Sequence, residues 1–307
     1  MKRINEIIKK VYGNFPEKVL QIGDGNFLRA FSDWMIDEAN EKGLYKGSII
    51  VCAPQSAGKV DIINEQNGLY TLIMRGIENG IQKSQVRQIT SISRAIKIKD
   101  EYEEFLKIAS SPDLEVVISN TTEAGIVYKK EALPPHNEPP LTFPAKMTAF
   151  LYERFKLFNG DKSKGLLFLP VELIDNNGSM LKKYILQYAD DWALGQDFKN
   201  WIENSNKFTN TLVDRIVTGF PKDENMEYED KLIVASELFN LWIIEGKKEW
   251  ADILPIHKTS ANVIWTDAVK PFKKRKVRIL NGAHTSTILA AFLSGHNFVL
   301  DFMQDPI

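Results

Sequence analysis

Cysteine is almost missing from this chain: Cys52 is the one in 307 residues. A lone thiol inside an apolar stretch excludes a disulfide framework and any metal site built on cysteines. Histidine is nearly as scarce. His136, His257, His284 and His296 lie far apart, with no HExxH and no pair at ligand spacing, so no metal is expected. A dominant sign of charge is lacking too, since 39 lysines and arginines face 40 aspartates and glutamates, a net charge of -1. Without a long block of like charge, binding to nucleic acid or an anionic membrane is not expected. The one basic concentration, KPFKKRK at 270–276, reads as a mostly solvated segment. No apolar run approaches the ~20 residues of a membrane helix, and the opening MKRINEIIKKVYGNFPEK is charged throughout, unlike a signal peptide. A soluble, reduced, cytoplasmic protein is expected.

Apolar residues are plentiful: 44% of 307 residues can bury a sizeable core, more than most single compact cores hold. One large domain and part of a second are expected, the first over 1–270 and the second over 271–307. Short runs rich in valine, isoleucine and leucine recur: KVLQI (18–22), SIIVCA (48–53), EVVIS (115–119) and GLLFLP (165–170). Runs without alternation suit strands buried on both faces of a parallel sheet. Between the first two, Phe27, Leu28, Phe31, Trp34, Met35 and Ala39 return at helical steps, and Met147, Phe150, Leu151, Phe155 and Phe158 do the same later. Strand, helix, strand alternation implies an α/β sheet with right-handed crossovers.

LYTLIMRGIENGIQKSQVRQI breaks that pattern, with two β-like runs around Asn79-Gly80, and reads as an antiparallel hairpin excursion on the parallel sheet. Beyond Pro221, KDENMEYED reads as a polar surface loop, and LWII and VIWTDAV as further strands. The final stretch is helical and apolar, and its apolar face has nothing later in the chain to rest against.

VLQIGDGNFLRAF (19–31) breaks on two glycines and then resumes as a helix. A strand, a glycine turn and a helix start bring free N–H groups to one point, where a pyrophosphate binds. Gly23 would make the turn and Gly25 would let the backbone approach the phosphate; Leu28 fills the third position of G-x-G-x-x-G. A plain strand-to-helix turn is the alternative, though the parallel-sheet context favours a Rossmann-type dinucleotide domain. The second strand ends in Gln55 and Ser56 rather than an acid, with Asp61 on the next helix, which leaves NAD and NADP both open. SNTTEAG (119–125) follows a strand, so Asn120, Thr121 and Thr122 can meet the nicotinamide half and Glu123 the substrate. An N-cap cluster is the alternative there.

KVRILNGAH holds Lys276, Asn281 and His284. A helix beginning near Asn281 would put Asn281 and His284 on one face, with Lys276 leaning in from the segment before. These side chains suit reversible carbonyl reduction: a lysine in a dry pocket as acid/base, an asparagine donating to the oxyanion, a histidine orienting substrate hydroxyls or the lysine. By spacing alone the signal is weak, since such residues also serve as caps.

Taken in order, IGDGNFLRAF, NGLYTLIMRG, SNTTEAGI, LPVELIDNNG, LVDRIVTGFP and VRILNGAHT resemble the long-chain mannitol dehydrogenase (polyol dehydrogenase) family, on its hexuronate branch. The resemblance implies a Rossmann-type domain followed by a mostly helical domain, NAD as cofactor, no metal, and a small sugar-acid substrate. The implied reaction is the reversible reduction of D-tagaturonate to D-altronate in hexuronate catabolism, with Lys276 as acid/base, Asn281 as oxyanion donor and His284 as substrate ligand. The nucleotide segment falls on Val19, Leu20, Gln21, Ile22, Gly23, Asp24, Gly25, Asn26, Phe27, Leu28, Arg29 and Ala30, joined by Asn120 and Thr121. Glu123 and Asp214 fall on substrate-lining positions. Where the mannitol-type branch carries CDN, this chain reads Val171, Glu172 and Leu173, and Asn177 is the nearest replacement amide. Fructuronate reduction, mannitol-type oxidation and an inactive nucleotide-binding module are the rivals. Family members are longer, so the chain is expected to be a fragment of a longer product or to come from a truncated reading frame.

Overall fold

The computed structural model describes residues 1–55, 58–78, 80–122, 124–221 and 226–305. The chain divides into two compact units, Met1–Asp267 and Ala268–Ile307. The strands of the first are β1 (Glu17–Ile22), β2 (Ser48–Ala53), β3 (Tyr70–Glu78), β4 (Ile81–Ile89), β5 (Ile92–Lys97), β6 (Val116–Ser119), β7 (Leu167–Pro170), β8 (Lys207–Phe208), β9 (Asn210–Asp214), β10 (Val217–Gly219), β11 (Val234–Glu237), β12 (Leu241–Glu245) and β13 (Val263–Thr266).

Six of them form one sheet in the order β5-β2-β1-β6-β7-β8, every neighbouring pair parallel. Counted along the chain this is 3-2-1-4-5-6, the doubly wound nucleotide-binding order. The four apolar runs are β1, β2, β6 and β7, and their lack of alternation has a direct cause. Val19, Ile49, Val51, Val116 and Ile118 enter the core on one face, while Leu20, Ile22, Ile50, Cys52 and Val117 enter the core on the other. Helices Tyr102–Ile108, Phe143–Leu157, Asn177–Asp191 and Gln196–Ser205 contribute to the second core. Thr142 caps Phe143–Leu157 by accepting the Ala145 N–H at 3.2 Å, with Pro144 in the first turn.

Two readings need correction here. The apolar face expected over 27–39 belongs to two helices, Asn26–Arg29 and Ser32–Glu41, and the second is buried from Ser32 to Asn40 on every side. It carries polar residues because each finds a partner: Asp37 accepts from Arg87 and from the Thr90 N–H at 2.7 Å, and Glu38 from the Ser260 N–H and hydroxyl. The hairpin exists as β3 and β4 in antiparallel register, with Gly80 at φ +76°, but it builds a separate sheet ordered β10-β11-β3-β4. Asn79 lies outside the described residues.

LWII and VIWT are β12 and β13, which make a third sheet with β9. The polar segment before them is more than a surface loop. Asp230 is buried and accepts from Gln66, from the Leu232 N–H and from the Thr71 N–H at 2.6 Å; residues 222–225 lie outside the described ones.

The second unit opens with helix Lys270–Arg275, a π-helical turn Lys276–Asn281 and helix Gly282–Leu293, running on without a break, and ends with helix Val299–Gln304. KPFKKRK is thus helical. On the later helix Leu289 and Leu293 are 71% and 84% exposed. Among the described residues no helix is long and apolar enough to cross a membrane.

Candidate functional site

In a doubly wound sheet, ligands bind beyond the carboxyl ends of the strands where the strand order reverses, here between β1 and β6. The glycine turn and the SNTTEAG segment meet at that point. The Asn120 N–H donates to the Ile22 carbonyl at 2.9 Å, and the Gly23 N–H donates to the Cys52 carbonyl at the end of β2, also at 2.9 Å. Gly23 has φ +122°, and a Cβ there would stand 2.8 Å from the Asn120 carbonyl oxygen. Only glycine fits, by conformation and by space.

Gly25 precedes helix Asn26–Arg29, and nothing lies within 4 Å of where its Cβ would be. That bare backbone facing open space is what the approach of a phosphate requires. Leu28 is buried with its Cδ1 3.3 Å from the Cβ position of Gly23, so the third fingerprint position packs a side chain on the turn. The helix tolerates it because it ends after one turn at Arg29.

The remaining residues of 19–30 divide by burial. Val19, Leu20 and Ile22 are core side chains, and as strand residues they pair with β2 and β6 on either side. Gln21 is buried too, donating to the Gly23 carbonyl at 3.1 Å and to Asp33 at 3.4 Å. Burial raises the Asp33 carboxyl to about 7, with hydrogen bonds from Ser32 and Gln21 and the Arg29 charge opposing it. Asp24 accepts the Lys59 backbone N–H. Asn26 Oδ1 accepts from Lys59 Nζ and from an Arg29 Nη, both at 2.5 Å. Phe27 stacks on Phe31 with centroids 4.9 Å apart. The Ala30 carbonyl accepts from Arg215, whose guanidinium lies over Trp34 and is lowered to about 10 by burial.

The other lip of the crevice is held by a residue that the sequence named only as a departure from CDN. Glu172, buried at the end of β7, accepts the Thr121 N–H at 3.0 Å, the Thr121 hydroxyl at 2.9 Å and the Ser119 hydroxyl at 3.0 Å. Burial raises its carboxyl above the usual range, and these hydrogen bonds pull it back. Its one sequence signal is an acid directly after an apolar strand. Thr122 follows in the left-handed region at φ +71°. Glu123 lies outside the described residues.

The substrate residues fall differently. Asn177 is buried with its amide fully used: Nδ2 donates to the Pro170 and Glu172 carbonyls at 3.0 and 3.1 Å, and Oδ1 accepts the Gly178 and Thr211 N–H groups at 2.9 Å. It fastens the end of β7 to β9 and has no group left for a ligand. Asp214 is half-buried as the last residue of β9, paired with Leu241.

In the second unit Lys276 is half-buried and Asn281 and His284 are exposed, so the dry pocket expected around the lysine is not formed within this unit. The helix does not begin at Asn281 either, since 270–293 is one helical run. Its π turn, marked by the Gly282 N–H bonding the Val277 carbonyl, has a consequence for spacing. Five residues rotate an α-helix about 140° past a full turn, whereas the wider π turn, closed by an i→i+5 bond, turns less per residue and narrows that offset. Lys276 and Asn281 therefore project closer to one side than an α-helix would set them. Among the described residues no group of three or more His, Cys, Asp or Glu could hold a metal ion.

Comparison with known proteins adds a second line. Residues 17–258 match the Mannitol dehydrogenase Rossmann domain and residues 268–307 the Mannitol dehydrogenase C-terminal domain. Altronate oxidoreductase of Bacillus subtilis (strain 168) is 43% identical over all of this chain and 65% of its own length. Altronate oxidoreductase of Enterobacter sp. (strain 638) is 44% identical over 95% of this chain and 62% of its own length. The chain thus spans under two thirds of these relatives. Among solved structures, Pseudomonas fluorescens mannitol 2-dehydrogenase in ternary complex with NAD and D-mannitol superposes with a TM-score of 0.72 at 22% identity, covering 96% of this chain and 62% of that one. A substrate-free D-sorbitol dehydrogenase gives 0.76 at 20% identity, covering 100% and 67%. These two share the fold.

Proposed function

This chain belongs to the mannitol dehydrogenase family, and we propose that it carries the nucleotide-binding and acid/base parts of an NAD-dependent enzyme reducing D-tagaturonate to D-altronate, reversibly, in hexuronate catabolism. The observation that carries the reading is the meeting of Gly23 and Asn120 at the switch point of the sheet, in a chain with relatives named altronate oxidoreductase. The bare Gly25 backbone and the space beside it fit a dinucleotide. When bound, that cofactor supplies or accepts the hydride. The first unit then orients it, with the 23–26 turn under the diphosphate and Asn120 and Thr121 toward the nicotinamide half.

Lys276 delivers the proton to the substrate oxygen during reduction and removes it during oxidation, Asn281 donates to the same oxygen, and His284 orients neighbouring hydroxyls. The π turn supports this by bringing Lys276 and Asn281 closer to one side than an α-helix would. Asp214 and Glu123 are proposed on the substrate side; Asn177 receives no role, because its amide is occupied. The protein is proposed to work in the cytoplasm on a small sugar acid.

NADH oxidation assayed against D-tagaturonate, D-fructuronate and D-fructose tests the assignment. Preference for tagaturonate supports it, and preference for either other ketone replaces it with that rival. A second reading is favoured by the exposure of Asn281 and His284: a nucleotide-binding unit without turnover. Tight NADH binding with no turnover on any of the three ketones would establish it.

A further inference from the structure

Lys59 and Arg29 come from different elements and donate to one neutral oxygen, Asn26 Oδ1, each at 2.5 Å. Arg29 is fully buried, also donates to the Leu232 carbonyl, and its Nε is buried without a hydrogen-bond partner. Among the described residues neither cation has a carboxylate within ion-pair distance. The carboxylates that bear on them electrostatically are Asp24, facing both, and Asp33 and Asp230, facing Arg29. Two cations held this close repel each other unless something negative joins them. Burial and the neighbouring Arg29 accordingly lower the Lys59 ammonium to about 8. Beside them the backbone of Gly25 faces open space.

We propose that Lys59 is a direct ligand of the cofactor's diphosphate, with Arg29 as a fixed buried charge behind it and Asn26 as the atom that aligns both. The proposal rests on the dinucleotide reading and adds to the glycine turn a cationic clamp from the segment after β2. The diphosphate is favoured over a ribose phosphate because the ammonium is drawn to Asn26, next to Gly25 on the turn after β1. In this fold the first turn meets the diphosphate and the end of the second strand meets the ribose. An anion here would accept from Lys59 in place of Asn26 Oδ1, leaving that oxygen to Arg29.

Titration of NADH, NADPH and ADP-ribose into the full chain and into Lys59→Gln and Lys59→Arg tests the clamp. All three ligands carry the diphosphate, so Lys59→Gln should raise each Kd by about tenfold and by a similar factor, as loss of one charge-assisted bond does. Lys59→Arg should recover most of the affinity, and salt should weaken binding to the unsubstituted chain more than to Lys59→Gln. Unchanged constants in Lys59→Gln would overturn the clamp alone, and a loss confined to NADPH would overturn the diphosphate assignment. Failure of the unsubstituted chain to bind any of the three would overturn the dinucleotide reading with it, and that result appears before any substitution is made.

Discussion

Glu172 and Thr121 are joined twice, the carboxylate accepting both the backbone N–H and the hydroxyl of the threonine at 3.0 and 2.9 Å. Through this pair the end of β7 holds the segment beyond β6 in place at the mouth of the crevice. Glu172→Ala leaves the part-buried N–H and hydroxyl of Thr121 and the buried Ser119 hydroxyl without their acceptor, which costs about 1–3 kcal/mol in such settings. Denaturant unfolding should show that loss, and titration should show NADH bound several-fold more weakly; unchanged NADH affinity would make Glu172 a purely structural residue.

Gly23→Ala forces a Cβ to 2.8 Å from the Asn120 carbonyl at φ +122°. The ends of β1 and β6 must then part or the turn must change shape, at a cost of about 1–3 kcal/mol for the strained conformation alone. A lower unfolding midpoint together with at least tenfold weaker nucleotide binding is expected. Gly25→Ala, with nothing within 4 Å, should leave stability nearly unchanged and so separate the two glycines.

Lys276→Ala should abolish turnover while NADH affinity stays within about twofold, since removing only the acid/base group leaves binding in place. Steady-state rates with tagaturonate beside a binding titration check it. Simultaneous loss of turnover and binding would show that the lysine supports the fold of its helix rather than the chemistry.

Asp33 makes stability depend on pH. Its carboxyl is raised from 3.8 to about 7 in the folded chain, chiefly by burial. Between those values the folded state holds a proton that the unfolded state has released, so stability falls as pH rises from about 4 to 7 and then levels off. At about 1.4 kcal/mol per pH unit the loss is at most about 4 kcal/mol. Asp33→Asn, neutral throughout, should flatten that slope in unfolding midpoints measured from pH 5 to 8.

The parallel sheet was legible because its strands are buried on both faces, which leaves uninterrupted apolar runs. β5 escaped notice for the opposite reason: it is an edge strand carrying Arg94 and Lys97, so its pattern is half polar. The glycine turn could be read from Gly23 and Gly25, and at Gly23 the positive φ and the nearby Asn120 carbonyl admit only glycine.

Long-range partners left no local trace. Nothing in the chain text joins Glu172 to Thr121, 51 residues apart, or Lys59 to Asn26, 33 apart. Asn177, the nearest replacement amide in the sequence, accepts the Thr211 N–H from 34 residues away. The π turn at Lys276–Asn281 is likewise invisible to α-helical periodicity. Apolar pattern and glycine conformation are local properties, written residue by residue, so the sequence alone determined the sheet, its turn and the family resemblance. Which polar groups are spent on the scaffold and which remain for a ligand depends on neighbours brought together across the chain, and only the tertiary structure decided that.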